Sequence, residues 1–317
     1  MSDTILSLDR LCVGYGERLA AADVSFSLQR GEILCLVGES GCGKSTLLKA
    51  LMAAPEVRLF SGEITLEGTA RSSLGPKQRR RLCSEKMGIV FQTPEAAFNP
   101  IRSYRKQFVE TLKSHGKYDP GSFEAKAAEA FAKVELDDWR RVLSECPFAL
   151  SGGMNQRAAL ALALLLEQEI LLCDEPTSAL DATIQLQVAE ELRRLRQNSG
   201  VTQIIVTHNL ALAHFLADHI GVMYTGRLVE FGRACDVLCK AQHPYTKSLR
   251  AAIPSLDGTM PDGLPGSPPI SGPAAIGCEF RGRCPLAAED CAQAPYALRQ
   301  VGDGHFVSCC GGKEAVT

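Results

Sequence analysis

Gly38-Glu39-Ser40-Gly41-Cys42-Gly43-Lys44-Ser45 fits the pattern G-x-x-x-x-G-K-[ST]. It stands between a fully apolar run, Ile33-Leu34-Cys35-Leu36-Val37, and an apolar helical stretch from Thr46 to Ala53. No other feature of the chain constrains its fold as much, because the pattern carries meaning only with a strand before it and a helix after it. The apolar run suits a parallel strand buried on both faces. Glycines let the loop backbone form a nest of N–H groups facing phosphate oxygens. Lys44 supplies a point charge to the β- and γ-phosphates, and Ser45 offers its hydroxyl to Mg²⁺. The following helix turns its positive end toward the anion. Gly38, Ser40, Gly41, Gly43, Lys44, Ser45 and Thr46 are therefore candidate nucleotide-binding residues. A chance glycine turn is the competing reading, and both flanking elements speak against it. Cys42, inside the loop, reads as a tolerated small residue rather than a redox switch.

Further along, Ile170-Leu171-Leu172-Cys173 reads as a second buried strand and Ile204-Ile205-Val206 as a third. Between them Ile184, Val188, Leu192 and Leu195 mark one face of a helix starting near Asp181. This alternation predicts an α/β body with a mostly parallel core sheet. Residues 104–167 read as helical almost throughout, which predicts an inserted helical subdomain. The second strand ends in Asp174-Glu175-Pro176. Two carboxylates at an exposed strand end have no packing reason to be there, whereas a Mg-nucleotide site uses both; a solvated strand end is the competing reading, and the phosphate-loop pattern earlier in the chain speaks against it. Asp174 would hold the metal shell, and Glu175 would orient or deprotonate the attacking water. In Leu150-Ser151-Gly152-Gly153-Met154-Asn155-Gln156-Arg157, Ser151, Gly152 and Gly153 open a predicted helix and form a second anion site.

Composition removes several classes. With 34 Lys+Arg against 36 Asp+Glu among 317 residues, the chain lacks the basic excess of a protein that binds nucleic acid by bulk electrostatics. The longest apolar run, Ala158–Leu166, is too short to span a bilayer, and the first residues carry no secretory pattern. The 13 cysteines then point to reduced thiols or a metal site rather than a disulfide scaffold. Five of them, Cys278, Cys284, Cys291, Cys309 and Cys310, fall in the last forty residues, behind a Pro/Gly-rich stretch from Pro254 to Pro273. That stretch cannot continue a helix or central strand. The expected organisation is a body over 1–253, a linker over 254–273 and a Cys-rich C-terminal module over 274–317.

Ser-Gly-Gly opening a helix resembles the signature of ATP-binding-cassette (ABC) ATPases. The order of motifs resembles that family too: the loop at 38–45, Phe91-Gln92, the signature, Asp174-Glu175, Ser178-Ala179-Leu180-Asp181, then His208. The resemblance implies a P-loop NTPase cassette with an antiparallel N-terminal β subdomain and a helical subdomain, binding ATP and Mg²⁺. It also implies that two chains pair head to tail, each nucleotide lying between one chain's loop and the other's signature. By the same resemblance Tyr15 stacks on adenine, Gln92 senses Mg²⁺ and the attacking water, and His208 contacts the γ-phosphate. Lys44, Glu175, Gln92 and His208 would carry the catalysis, and Ser45, Gln92 and Asp174 would serve Mg²⁺. A core position for Tyr15, and a helix-capping or simply solvated position for His208, are the competing readings.

His243-Pro244-Tyr245-Thr246-Lys247-Ser248-Leu249, with the proline-rich strap and Cys cluster behind it, resembles the dipeptide/oligopeptide/nickel branch of ABC importers. The match runs to about Cys309. It implies a subunit that hydrolyses ATP to power import, most simply of peptides, with nickel or metal chelates as the alternative cargo. A non-transport ABC ATPase is the competing class, but such chains usually carry two cassettes or a long coiled-coil insertion. The implied partners are a second ATPase subunit, in a heterodimer or a homodimer, integral-membrane permease subunits and, indirectly, an extracytoplasmic substrate-binding protein. The implied location is the cytoplasmic face of the inner membrane. Cys278, Cys284, Cys291 and Cys309 stand with five, six and seventeen residues between them. Four thiolates suit a [4Fe–4S] cluster or Zn²⁺. The wide gaps and the branch resemblance both point to the cluster, free thiols that bind nothing are the competing reading, and Cys310 could replace Cys309. The chain departs from the branch at Thr93 and Ala96-Ala97-Phe98, in a loop expected to touch the membrane subunits, while Asn99-Pro100 is kept.

Overall fold

The computed structural model describes residues 3–91, 93, 97–177, 182–253, 264, 266–267, 269, 272–273 and 276–309. The chain forms two compact units, Met1–Gly75 with Val206–Thr317, and Pro76–Ile205.

The first unit contains an antiparallel sheet in the order Arg18–Gln29, Thr4–Tyr15, Arg58–Leu66, Thr69–Ala70. Its inward residues, among them Ile5, Leu6, Leu11, Val24, Leu28, Ile64 and Leu66, are essentially inaccessible to solvent. This is the antiparallel N-terminal subdomain that the resemblance implied. A second ladder begins at Ile33–Val37, every residue of which is buried. It pairs in parallel with His219–Tyr224, in register Leu34↔His219 to Val37↔Val222. His219–Tyr224 then turns antiparallel into Arg227–Arg233 through Thr225 and Gly226, both at positive φ. Arg227–Arg233 is joined by a C-terminal hairpin, His305–Val307 and Arg299–Gly302. The sheet is therefore mixed, parallel where the loop-bearing strand lies and antiparallel toward its edge.

The C-terminal residues are bound to this unit by specific contacts. Phe280, 1% exposed, packs among Tyr224, Tyr245 and His243 with ring centroids 5.3, 5.4 and 5.9 Å away. Arg227 ion-pairs with Glu279 at 2.8 Å and Asp23 at 2.9 Å, and its guanidinium lies over the Tyr296 ring. Glu230, fully buried, accepts from His305 Nε2 at 2.8 Å and from the backbone N–H groups of Gln242 and His243, each at 2.9 Å. A buried carboxylate persists when its lone pairs are filled in this way.

His243 caps the helix Pro244–Ala251, its Nδ1 accepting the Tyr245 N–H at 3.1 Å. Burial pushes this imidazole down to about 4 from 6.5, and the nearby Glu230 charge offsets only part of the effect. The folded state thus favours the neutral ring. Its contribution to stability is full above about pH 6.5 and is lost as pH falls toward 4. At about 1.4 kcal/mol per pKa unit this amounts to roughly 3 kcal/mol. Urea denaturation of wild type is expected to show that loss, and His243→Asn, which keeps a capping acceptor but does not titrate, should flatten the slope. Equal slopes would show that another group sets it.

The second unit holds parallel strands Met87–Val90 and Ile170–Asp174, in register Met87↔Ile170 to Val90↔Cys173. Around them lie helices Pro76–Lys86, Tyr104–Ser114, Phe123–Lys133, Trp139–Ser144, Gly152–Leu165 and Ala182–Ser199. The expected helical stretch is present, and so is the helix after Asp174. Val188, Leu192 and Leu195 are buried on its inner face; the side chain of Ile184 lies outside the described set. An aromatic core of Phe98, Tyr104, Phe108 and Phe131 joins the helices. Strand Thr202–Thr207 runs across the boundary between the units in sequence. Among the described residues no helix is long and apolar enough to cross a membrane.

Candidate functional site: a phosphate-binding loop and its supports

Strand Ile33–Val37 delivers the chain into the loop at Gly38, and the helix begins at Lys44, two residues before the stretch read from sequence. The reason is Gly43. It caps the helix in the left-handed conformation at φ 98°, and a Cβ on it would lie 2.4 Å from the Ala20 carbonyl oxygen. Gly38 is equally constrained, since a Cβ there would meet the Met223 carbonyl oxygen at 2.2 Å. Both glycines are demanded by the loop's seat in its own unit.

Lys44 is only 4% exposed. Its Nζ donates to the Gly38 carbonyl at 2.7 Å, the Glu39 carbonyl at 2.9 Å and Cys42 Sγ at 3.6 Å. The ammonium is thus held in the loop by groups of the loop itself. Burial pushes the Cys42 thiol up, with Lys44 opposing; a protonated, enclosed thiol agrees with its reading as a small tolerated residue. Ser40 and Gly41 are exposed, Ser45 is half-buried and Thr46 buried. Thr46 Oγ1 donates to the Tyr15 hydroxyl at 3.5 Å. Tyr15 ends its strand and is 40% exposed, so the core reading of this residue does not apply.

His208 follows strand Thr202–Thr207 and is exposed. It does not cap the next helix. That role falls to Asn209, whose side chain accepts the Leu212 N–H at 3.1 Å while its own N–H donates to Thr207 Oγ1 at 3.0 Å.

In the second unit, Asp174 closes the strand Ile170–Asp174 and Glu175 follows it in the left-handed region at φ 47°. A non-glycine residue pays for that conformation, and such positions cluster at functional sites. Cys173, beside them, is fully buried; burial and the Asp174 charge push its thiol up to about 12. Ser151 caps helix Gly152–Leu165, its Oγ accepting the Met154 N–H at 3.4 Å. Ser151, Gly152 and Gly153 are all exposed, and a Cβ on either glycine would meet nothing within 4 Å. The chain itself gives no steric reason for two glycines here. This helix start is anchored from behind: Tyr104 Oη donates to Asn155 Oδ1 at 2.7 Å, and Asn155 Nδ2 to the Pro147 carbonyl at 3.1 Å. Gln92 and Ser178–Asp181 lie outside the described residues.

Sequence reading missed three residues around the loop. The Tyr245 hydroxyl accepts the Glu39 N–H at 3.0 Å. Arg283 grips the Glu39 carboxylate with both terminal nitrogens, at 2.7 and 3.0 Å. Glu39 itself stands at an x position of the motif, where residue type carries no signal. Only the His243–Leu249 motif marked any of this region.

The tail cysteines form a loose group. Cys291 is buried, and Cys278, Cys284 and Cys309 are partly so. The Cys278 N–H donates to the Cys291 carbonyl at 2.8 Å. Burial pushes the Cys278 thiol up to about 11, with the Glu279 charge and then Cys291 and Cys309 adding to the effect. Cys284 is raised by burial and then by Cys309 and Cys291. Cys278 and Cys284 thus each lie within electrostatic reach of Cys291 and Cys309. Their donor chemistry suits a soft metal or cluster. Their spacing does not form a ready site: among the described residues no three of His, Cys, Asp or Glu gather closely enough to hold a metal ion. Cys310 lies outside the described residues.

Comparison with known proteins bears on these elements directly. Residues 21–178 match the family model described as ABC transporter, and 229–291 match oligopeptide/dipeptide transporter, C-terminal region. The dipeptide transport ATP-binding protein DppD of Bacillus subtilis is 33% identical over 316 residues, covering 97% of this chain and 94% of that protein. Among solved structures, cbiO1 of Clostridium perfringens, part of the ABC transporter complex cbiONQ, superposes with a TM-score of 0.67 at 25% identity, over 76% of this chain and 93% of that one. The ATP-binding cassette MJ0796, solved as a dimer in a post-hydrolysis state with ADP and Pi, gives 0.62 at 26% identity, over 73% of this chain and 99% of that one.

Proposed function

We propose how this chain, which belongs to the ATP-binding subunits of the oligopeptide/dipeptide ABC transporter family, puts its nucleotide elements to use. It is an ABC transporter ATPase, the ATP-binding subunit of a peptide importer. The observation that carries the assignment of roles is the loop lysine: Lys44 is buried, and its charge is met by two backbone carbonyls and a thiol rather than by a carboxylate. Phosphate oxygens are better acceptors for an ammonium than carbonyls are, because both partners are then charged.

In this reading the loop N–H groups and Lys44 hold the β- and γ-phosphates, and Gly38, Ser40, Gly41, Gly43 and Thr46 shape the cradle. Ser45, Gln92 and Asp174 would hold Mg²⁺, whose charge offsets that of the phosphates; the half-buried Ser45 hydroxyl, in the first turn of the loop helix, fits that role. Tyr15 presents its ring to the base. Glu175 takes a proton from the attacking water, and Gln92 and His208 orient the water and the γ-phosphate. The exposed Ser151, Gly152 and Gly153 act on the nucleotide of a second ATPase subunit, and the open space beyond both glycines suits close approach by a ligand. Closure of two such chains on ATP drives permease subunits at the cytoplasmic face of the inner membrane. Ile101 and Phe148, 78% and 74% exposed in the second unit, supply apolar surface for that docking. Functionally the chain divides into a cassette over 1–253, a linker over 254–273 and a C-terminal module over 274–317.

We further propose that Cys278, Cys284, Cys291 and Cys309 bind a [4Fe–4S] cluster, on the strength of their thiol chemistry and of the nearness of Cys291 and Cys309 to both Cys278 and Cys284. Binding would require the thiols to draw together. One preparation tests both readings: the chain, affinity-tagged and expressed with its transporter, is purified anaerobically from detergent-solubilised membranes. Integral-membrane subunits should accompany it with ATP hydrolysis, and absorption near the visible region with stoichiometric iron should mark the cluster. Zinc without iron would replace the cluster by Zn²⁺, and the absence of both would leave the thiols as structural. Failure to capture membrane subunits would remove the permease docking.

A further inference from the structure

Every polar group of Glu39 is engaged. Its N–H donates to the buried Tyr245 hydroxyl at 3.0 Å. Its carbonyl accepts Lys44 Nζ at 2.9 Å and the Cys42 N–H at 3.4 Å. Its carboxylate is held bidentately by Arg283, whose side chain is 6% exposed and whose Nη1 also lies 3.4 Å from the Tyr224 hydroxyl. Glu39 is thus pinned from three sides, and the position of the Lys44 ammonium depends on where the Glu39 carbonyl sits. Arg283 lies 244 residues further along the chain, between Phe280 and Cys284 in the Cys-rich module. Phe280 anchors that module onto Tyr224 and Tyr245, so the arginine comes to the loop from a packed support.

An electrostatic reason accompanies the geometric one. A carboxylate in a loop that binds a polyphosphate opposes the ligand's charge, unless a cation takes it up. A bidentate Arg–carboxylate fork both neutralises the charge and fixes its direction.

We propose that Arg283 is a positioning residue for ATP: acting through Glu39, it neutralises and fixes the loop so that Lys44 meets the phosphates. The proposal rests on the reading of Gly38–Ser45 as the ATP-binding loop. It makes the C-terminal module part of the nucleotide site's support rather than an accessory joined to it.

The test measures affinity of the full-length chain for Mg-ATP, by displacement of a fluorescent trinitrophenyl ATP, together with KM and kcat for ATP in the assembled transporter. Arg283→Ala is expected to weaken binding about tenfold and raise KM alike, the scale of one uncompensated charge in a partly exposed site. Turnover at saturating ATP should change by about twofold or less, since the reacting atoms are untouched. In the Glu39→Gln background, adding Arg283→Ala should cost about twofold or less, because the charge it served is gone. Where Arg283→Ala unfolds the module, Arg283→Lys carries the test: without the fork it should lose about threefold against Glu39 and far less in the Glu39→Gln background. Unchanged affinity in Arg283→Ala overturns the proposal. So does an equal loss with and without Glu39→Gln, which would mark Arg283 as general support of the module. If wild type itself fails to bind Mg-ATP, the reading of the loop falls and this proposal with it; if wild type binds and the variants bind equally, only this proposal falls.

Discussion

Glu175→Gln is expected to lower steady-state ATP hydrolysis in the assembled transporter by about 10²- to 10⁴-fold, the range for losing a general base. ATP binding should survive. The strand Ile170–Asp174 is buried through Cys173, and Glu175 then takes the left-handed conformation at φ 47° before Pro176. That conformation breaks the alternation of the strand and sets the direction of the carboxylate by backbone geometry rather than by side-chain rotamer alone. Glutamine keeps the shape and hydrogen-bonding reach of glutamate, so the backbone and the packing around it should persist. What it cannot do is accept a proton at neutral pH. ATP-bound, closed dimers should therefore accumulate, visible as nucleotide that co-elutes with a dimer at about stoichiometric ratio. Phosphate release by the variant at the wild-type rate, with ATP bound normally, would remove Glu175 from the chemistry.

The apolar strands and the loop motif, each taken within its own unit, were legible because their signals are local. Ile33–Val37, Ile170–Cys173 and Ile204–Val206 are apolar through and through, and each forms a buried strand. Loop residues 38–45 lie where the pattern puts them; the helix runs Lys44–Leu51 rather than Thr46–Ala53, since an apolar stretch cannot reveal that Gly43 closes the loop two residues early. The support of the loop was not legible. Arg299-Gln300-Val301-Gly302 is exposed throughout and carries no apolar alternation, so nothing in it predicts pairing with His305–Val307 or the junction of that hairpin with Arg227–Arg233. Glu230, in an ordinary strand sequence, reads as a solvent-facing residue, yet it is buried because three donors converge on it from distant segments. Arg283 and Glu39 are partners through the fold alone. Long-range polar pairs have no period and no spacing rule, which is why motif reading finds the phosphate loop and passes over what holds it.

Lys44→Ala is expected to weaken Mg-ATP binding by about a hundredfold, the loss of one or two charge-assisted hydrogen bonds at roughly 1.5–3 kcal/mol each. Two effects add. The phosphates lose a cation, and the loop loses the ammonium that ties the Gly38 carbonyl to the Glu39 carbonyl and Cys42. Lys44→Arg separates them. Arginine keeps the charge, but its guanidinium is larger and planar, while Lys44 is 4% exposed beneath a loop whose Gly38 admits no Cβ. It should therefore restore little of the affinity. The adenine side of the site does not pass through this lysine, so AMP, which lacks the β- and γ-phosphates, should bind wild type and Lys44→Ala with affinities within about threefold of each other, as expected when the lost contact is one the ligand never made. Calorimetric titration with ATP and AMP checks both statements. A hundredfold loss for AMP as well would mean that Lys44 holds the loop's shape for every nucleotide; equal ATP affinity in the two proteins would mean that the backbone nest alone binds the phosphates.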